Sequence, residues 1–502
     1  LLTDKLDIGV GRFPVKTKEE ARTTVNKIIN YHNKSTFGPW RNWVSFNGDD
    51  EDGNTHMQQA NRLANQVIRD NPVYNVEKVM FDAYPQETNA GGQTYPDVNR
   101  IINNRMANGC LFWTYLGHGG ELGLSHERVL GIPDIKSWNN ASNLPLFLTA
   151  TCEFSRFDDP QRTSAGELTL LNPTGGAIAL LTTTRLVFSG PNYDLSVEFM
   201  NHVFDFSKGE EPTLGDLLVA SKANANSGNL INYRNFTLLG DPAMRLAYPR
   251  QQVFTTFVTD TARTLEEVEV RDYVADRNGN KLNDFSGIIY PTIFGKEQEI
   301  TTLNNDNISA GPMTFKTRPS VIFKGRATVS NGDFSFKFAI PRDVGVDVGS
   351  GRISYYAENA ETDAHGFDES FYIGGLSDSI TPDDQGPVVQ IWMNDSAFVS
   401  GGITDQQPKL LARLFDANGI NTVGTGVGHD ITAILDENTA NAIVLNDNYE
   451  ADLDSYKKGT VTYDFSELEP GSHTLTLKAW DTHNNAGSAS IDFVVTEGGE
   501  LI

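Results

Sequence analysis

Cysteine is scarce: 502 residues carry two, Cys110 and Cys152. At most one disulfide can form, so the chain is no disulfide-stapled scaffold and must rest on its apolar cores. No stretch approaches the roughly 20 consecutive apolar residues of a membrane span. The chain does not open with the regions of a signal peptide. Leu1-Leu-Thr-Asp4 reads as mid-protein sequence, and we expect a fragment or a processed product. Basic charge is in deficit, with 40 Lys and Arg against 65 Asp and Glu, a net of −25. That argues against a nucleic-acid partner, which needs a basic face. Acid is unevenly balanced: over residues 387–502, 17 Asp and Glu face 5 Lys and Arg, a net of −12. This reads as the solvated surface of a secreted protein, with calcium binding as the alternative.

An apolar content of 39% with 45 glycines fits folded domains rather than disorder. The length suits about three domains. Residues 1–247 alternate helix and strand signals. Thr17-x-x-Glu20 is a capping box opening a helix with Ala21, Val25, Ile28 and Ile29 on one face. Thr55-x-x-Gln58 caps a second helix, whose buried side is Met57, Ala60, Leu63, Ala64, Val67 and Ile68. Further helices are expected near 96–107, 165–171, 193–205 and 213–226, and strands at 43–46, 76–82, 176–183 and 236–242. Such alternation predicts an α/β domain, a mostly parallel sheet with helices on both faces. Beyond residue 250, runs such as 252–258, 287–294, 328–339 and 352–359 alternate apolar and polar residues between turns, the antiparallel signature. Ser377–Pro387 reads as a linker into a second β unit, with strands at 388–393, 409–416, 430–436, 459–465, 473–481 and 488–496. The expected organisation is an α/β domain over 1–247, an Ig-like β-sandwich over 248–386 and a second all-β sandwich over 387–502.

Two apolar runs, Cys110–Leu116 and Pro145–Thr151, are too short for helices and read as buried strands. One leads into Gly117-His-Gly-Gly-Glu121 and the other into Cys152. As parallel neighbours they would bring imidazole and thiol to one rim, where open α/β sheets place their sites. A thiol is mostly protonated at neutral pH, and an adjacent imidazole makes the nucleophilic thiolate and later protonates the leaving amine. The backbone N–H groups of Gly119 and Cys152 can face a developing oxyanion. A third group commonly orients the imidazole, for which Asp49, Asp50 and Glu121 are candidates.

Eight residues of strand put Cys110 roughly 25 Å from that rim, whereas a disulfide needs Cα atoms within about 7 Å. We therefore expect no disulfide, with Cys110 a small buried hydrophobe and Cys152 a free thiol. Zinc is not expected, because His126 and Glu127 give no recognised ligand spacing. His32, His56, His202 and His365 show no partner and default to surface or packing roles. Asp276-x-Asn-Gly-Asn280 with Asp284 resembles part of an EF-hand loop, but Gly287 stands where the bidentate acid belongs, and a hairpin through Asn-Gly is preferred. The acidic loop Asn47–Gly53 is the better calcium candidate.

The segments Asp7-Ile-Gly-Val-Gly-Arg-Phe13, Gly117–Glu121, the strand ending in Cys152, and Leu239-Gly-Asp-Pro242 resemble the gingipain-like C25 cysteine peptidases in order and spacing. Ser125-His-Glu-Arg128, Thr151–Pro160 and Arg162–Glu167 are similar to one branch of that clan, the sortases of the type IX secretion system, as are Gly419–Thr422, Gly428–Ile431, Ala479–Asp481 and Asn484-Asn485. The resemblance implies a caspase-like fold, His118 and Cys152 as catalytic dyad, and Gly119 as an oxyanion donor. It sets the orienting acid after strand 43–46, at Asp49 or Asp50. It places His56 near the position of a pocket carboxylate, which counts against cleavage after arginine, and Val187, Phe188 and Glu153 at the substrate. It implies a cell-surface, outer-membrane-associated enzyme that removes the C-terminal signal domain of secreted cargo through a Cys152 thioester and passes the cargo to an amine on anionic lipopolysaccharide. The implied partner is the outer-membrane barrel protein PorV. No cofactor is required, and a structural calcium is compatible. A general secreted gingipain-like endopeptidase and an inactive peptidase-fold binding or adhesion protein are the alternatives.

Overall fold

A computed structural model describes residues 6–207, 209–225, 230–377, 382–423, 428–465 and 467–497. The chain divides into two compact units, Leu1–Pro249 with Glu299–Thr317, and Arg250–Gln298 with Arg318–Ile502.

The first unit is built on a six-stranded sheet. Its strands are β1 (Trp43–Gly48), β2 (Asn75–Met80), β3 (Phe112–Leu116), β4 (Leu146–Ala150), β5 (Ala179–Thr183) and β6 (Phe236–Leu239). The order across the sheet is β6-β5-β4-β3-β1-β2. All pairs are parallel except β5 with β6. The helices longer than five residues are α1 (Lys18–Tyr31), α2 (Thr55–Asp70), α3 (Pro96–Asn108), α4 (Ile132–Ser137), α5 (Ala165–Leu171), α6 (Ser189–Val203) and α7 (Leu214–Asn224). Every residue of β3, β4 and β5 is buried, which is why these strands read as largely apolar runs, with threonine the polar residue in each. Alternate side chains feed two cores. Phe112, Leu116, Leu146 and Leu148 pack with residues of α2, α6 and α7. Trp113, Tyr115 and Phe147 pack with residues of α3, α4 and α5. The opposite pleat faces of the sheet are thus each covered by helices.

Two helices differ from expectation. The Thr17 capping box forms, with Thr17 Oγ1 accepting from Glu20 N–H and Glu20 reaching back to the Thr17 amide. The α1 face that packs inward, however, is Thr24, Lys27 and Tyr31, while Val25 and Ile29 are exposed. Lys27 decides the rotation: its ammonium donates to Leu170 O at 2.8 Å and Gly175 O at 2.6 Å. In α2 the cap is Asn54, in the left-handed region at φ 67°, and Thr55 is the first helical residue. The expected face is buried apart from Ile68, and His56 and Gln59 join it.

Residues 299–317, expected within the first β-sandwich, belong instead to the first unit. Two short strands, Gln298–Thr301 and Thr314–Thr317, carry this excursion. Asp82 holds it: the amides of Asn304 and Asn305 donate to its carboxylate at 2.8 and 2.7 Å, and Leu303 N–H donates to its carbonyl. Met313 and Phe315 bury their side chains in the core that contains α2. Apolar residues found burial there that local alternation could not foretell.

The second unit is all-β. An eight-stranded sheet includes the expected runs 287–294 and 352–359, with antiparallel neighbours throughout apart from Gln251–Phe257 beside Asp363–Asp368. A four-stranded sheet around Lys409–Phe415 and a five-stranded sheet around Gly471–Trp480 and Ala486–Val495 follow. Strand alternation is clear at 409–415, where Leu410, Ala412 and Leu414 are buried. The Asp276–Asn280 turn forms, with Asp276 Oδ1 accepting from the amides of Asn278 and Asn280. The strands it links do not pair: Glu267–Ala275 lies between Gln251–Phe257 and Asp333–Ala339, and Gly287–Phe294 lies beside Arg352–Glu358. The expected hairpin is confined to the turn itself, where Ala275 bridges Lys281 antiparallel and Leu282 N–H donates to Val274 O; beyond it longer-range pairing takes over. Residues 378–381 of the expected linker lie outside the described residues.

Candidate active site

Register places the chemistry. Leu116 at the end of β3 is paired with Ala150 at the end of β4, and Gly48 at the end of β1 with Leu116. His118 and Cys152 each follow two residues beyond those paired ends, and the acidic loop Asp49–Gly53 follows β1. Three adjacent parallel strands thus deliver imidazole, thiol and carboxylates to one rim, the carboxyl edge of the sheet.

The segment around His118 is tied from behind. Its amide donates to Asp49 Oδ2 at 2.7 Å, and its carbonyl accepts from Tyr115 O–H at 2.6 Å and Ser125 N–H at 2.8 Å. Gly117 permits this approach: a Cβ there would stand 2.3 Å from Asp49 Cβ and 2.5 Å from the Tyr115 hydroxyl. Gly119 opens a three-stranded meander (119–120, 123–124, 130–131), and a Cβ on it would meet Thr151 Oγ1 at 2.7 Å. The imidazole is half-buried, with Nε2 3.1 Å from Asp52 Oδ2. The His56 ring stands edge-on at 5.5 Å, with its Nε2 3.2 Å from the same Asp52 oxygen, and the His126 ring stacks at 5.1 Å. Burial, then the charge of His118, holds His56 below the usual histidine range, while the hydrogen bond to Glu51 raises His126.

Cys152 is half-buried and Cys110 fully buried, and the two are not joined in a disulfide; burial pushes the Cys110 thiol up. The Cys152 sulfur donates to Val187 O at 3.6 Å. Glu153 follows in the left-handed region at φ 53°, its amide donating to Arg185 O, so the chain turns sharply at the thiol. Phe188 is exposed, at the head of α6.

The expected orienting acids do not touch the imidazole. Asp49 holds the His118 backbone, and Asp50 accepts from Tyr95 O–H at 2.6 Å. Glu121 pairs with Arg156 at 2.9 Å and Arg162 at 3.4 Å. The carboxylate on the ring is Asp52, in the same acidic loop and missed in the sequence. Its spacing to His56, four residues on, was the available signal. No hydrogen bond joins His118 to Cys152 among the described residues; apo catalytic contacts are often longer than in the working complex.

Two sets of side chains here could ligate a metal, each with ligand atoms within 4.8 Å of one another: Asp52, His56 and His118, and Asp49, Asp50 and Glu127. Histidine spacing alone did not show the first. Burial raises all three carboxyls of the second, and their mutual charge adds to it for Asp49 and Asp50.

A rim that presents a thiol, an imidazole and a carboxylate has the parts of a thiol peptidase. Residues 2–247 match the model of peptidase family C25, and through this half the chain belongs to that family of cysteine peptidases. Among solved structures, the dimeric latent PorU from Porphyromonas gingivalis is 24% identical, with a TM-score of 0.34, covering 98% of this chain and 42% of that one. The chain therefore spans less than half of the PorU chain. The Arg-specific cysteine proteinase gingipain R is 15% identical, with a TM-score of 0.42, covering 73% and 77% of the two chains. The complex of Porphyromonas gingivalis RgpB pro- and mature domains is also 15% identical, with a TM-score of 0.41, covering 73% and 78%. No curated protein sequence matches. No helix among the described residues is long and apolar enough to cross a membrane.

Proposed function

We propose that this chain is a cell-surface cysteine peptidase and sortase of the PorU kind. It would release the C-terminal signal domain of secreted cargo and join the cargo to an amine of anionic lipopolysaccharide. The observation that carries the reading is the delivery of Cys152 and His118 by two adjacent parallel strands to one rim, with Asp52 on the imidazole. With Nε2 engaged by Asp52, Nδ1 is the ring nitrogen left to take the thiol proton. The thiolate attacks the scissile carbonyl, and the tetrahedral oxyanion is met by backbone N–H groups of Gly119 and Cys152. Collapse expels the amine, which takes the proton from His118, and leaves a Cys152 thioester. An acceptor amine then attacks the thioester, gives up a proton to His118, and releases the thiolate with a new amide bond. Water in that place yields a carboxylic acid, the outcome of a general endopeptidase.

Val187, Phe188, Glu153 and His56 are assigned to substrate, with His56 acting through Asp52 and the His118 ring. The all-β half is read as two β-sandwiches, and the peptidase half as caspase-like. The outer-membrane barrel PorV is the assigned anchor at the surface, and no nucleic acid takes part. Intact-mass analysis of the chain incubated with a cargo C-terminal peptide tests the chemistry. An acyl adduct on Cys152 that an added amine discharges supports the sortase; discharge by water alone supports the endopeptidase. Cargo processing that survives Cys152→Ala overturns both.

A further inference from the structure

Asp49, Asp50 and Glu127 are 0%, 6% and 3% exposed, and a ligand oxygen from each lies within 4.8 Å of the others. None of the three forms an ion pair with a lysine or arginine among the described residues. Part of the cluster is tied off by neutral donors: Asp49 Oδ2 accepts from His118 N–H and shares the Tyr115 O–H with His118 O, and Asp50 Oδ2 accepts from Tyr95 O–H. One oxygen of each side chain is left over. Asp49 Oδ1, Asp50 Oδ1 and Glu127 Oε2 are buried and accept no hydrogen bond.

Three carboxylates side by side under cover cannot all ionise without a counter-charge, and a buried acceptor without a partner is costly. Buried orphans of this kind are rare in native structures and ask for a bound group. The donors are all hard oxygens, with no sulfur or nitrogen among them, which suits calcium-like cations and not zinc or copper. Two oxygens held at about 2.4 Å from one ion lie no more than about 4.8 Å apart, a limit the cluster meets.

The geometry points to a divalent-cation site of calcium's chemical class, formed by the carboxylates of Asp49, Asp50 and Glu127. The ion joins the loop after β1 to the segment after Ser125. Because the second oxygen of Asp49 holds the His118 amide, it also braces the histidine segment from behind. Its role is positioning, at a distance from the sulfur. This inference stands independently of the sortase reading.

Tyr95 and Tyr115, hydrogen-bonded to two of the ligands, provide a built-in probe, because a nearby phenol sensitises terbium emission. The full chain, stripped with a chelator and titrated with terbium, is expected to give tyrosine-sensitised emission that saturates and that calcium competes away. Glu127→Gln is expected to abolish the calcium-displaceable part, with circular dichroism confirming the fold. Emission in the folded variant equal to that of the parent, or none in the parent, overturns the site. Should the variant not fold, crystals of the parent grown with terbium decide: anomalous density among the three carboxylates supports the site, and its absence there overturns it.

Discussion

Asp52 shows how much a single side chain carries at this rim. Exposed itself, it receives both His118 Nε2 and His56 Nε2 on one oxygen, so it sets the orientation of the imidazole. Asp52→Asn is expected to lower kcat/KM on a cargo peptide by roughly 10²-fold, the scale of a misplaced acid–base group. Folding should be unaffected, as thermal melts would confirm. Gly117 is constrained differently: a methyl group there overlaps Asp49 and the Tyr115 hydroxyl. Gly117→Ala should cost about 1–3 kcal/mol of stability, the usual penalty of overpacking, measurable by denaturant unfolding. The two cysteines are also set apart by position alone. Cys110 is sealed just ahead of β3, while Cys152 is reachable. Mass spectrometry after brief alkylation should find one modification, on Cys152.

At the scale of elements, adjacency of β3 and β4 does the essential work, because equal strand ends put His118 and Cys152 on the same edge. The excursion at 299–317 is the other element that matters, since Asp82 ties down three of its amides. Asp82→Ala keeps the backbone carbonyl that Leu303 N–H uses but leaves the Asn304 and Asn305 amides without their acceptor, and should cost about 2–3 kcal/mol, the range of hydrogen bonds to a charged group. A lowered melting temperature of the first unit would report it. Much at this scale was legible in the sequence: α5 spans 165–171 as read, and the Thr17 capping box forms because its two residues are three apart and need no tertiary partner. The inward face of α1 was not legible, because Lys27 turns it toward carbonyls that lie well over a hundred residues away.

Over the whole molecule, each unit holds a buried ionisable group with an opposite pH response. Burial holds Lys27 down at about 7, below its ordinary 10.5. Between those values the unfolded chain binds the proton and the folded one does not, so this contribution strengthens the first unit as pH rises from 7. Burial pushes Asp272 up to about 8 from 3.8. There the folded chain keeps the proton longer, and stability from this group is lost as pH rises toward 8. Asp272→Asn should therefore raise the melting temperature of the second unit more at pH 8 than at pH 5, and Lys27→Met should flatten the rise of the first unit above pH 7. Calorimetry across pH checks both; a pH-independent difference for either variant contradicts its assignment.

The sequence by itself determined what short-range physics controls: the apolar strands, the alternation of helix and strand before residue 250, the antiparallel texture after it, and a histidine and a cysteine at strand ends. Tertiary structure alone decided which carboxylate meets the imidazole, which residues leave the all-β half to pack on the first unit, and that three acids from two distant segments share one buried place. Strand register and loop closure bring these groups together, and both depend on partners far away in the chain, about which local composition holds no information.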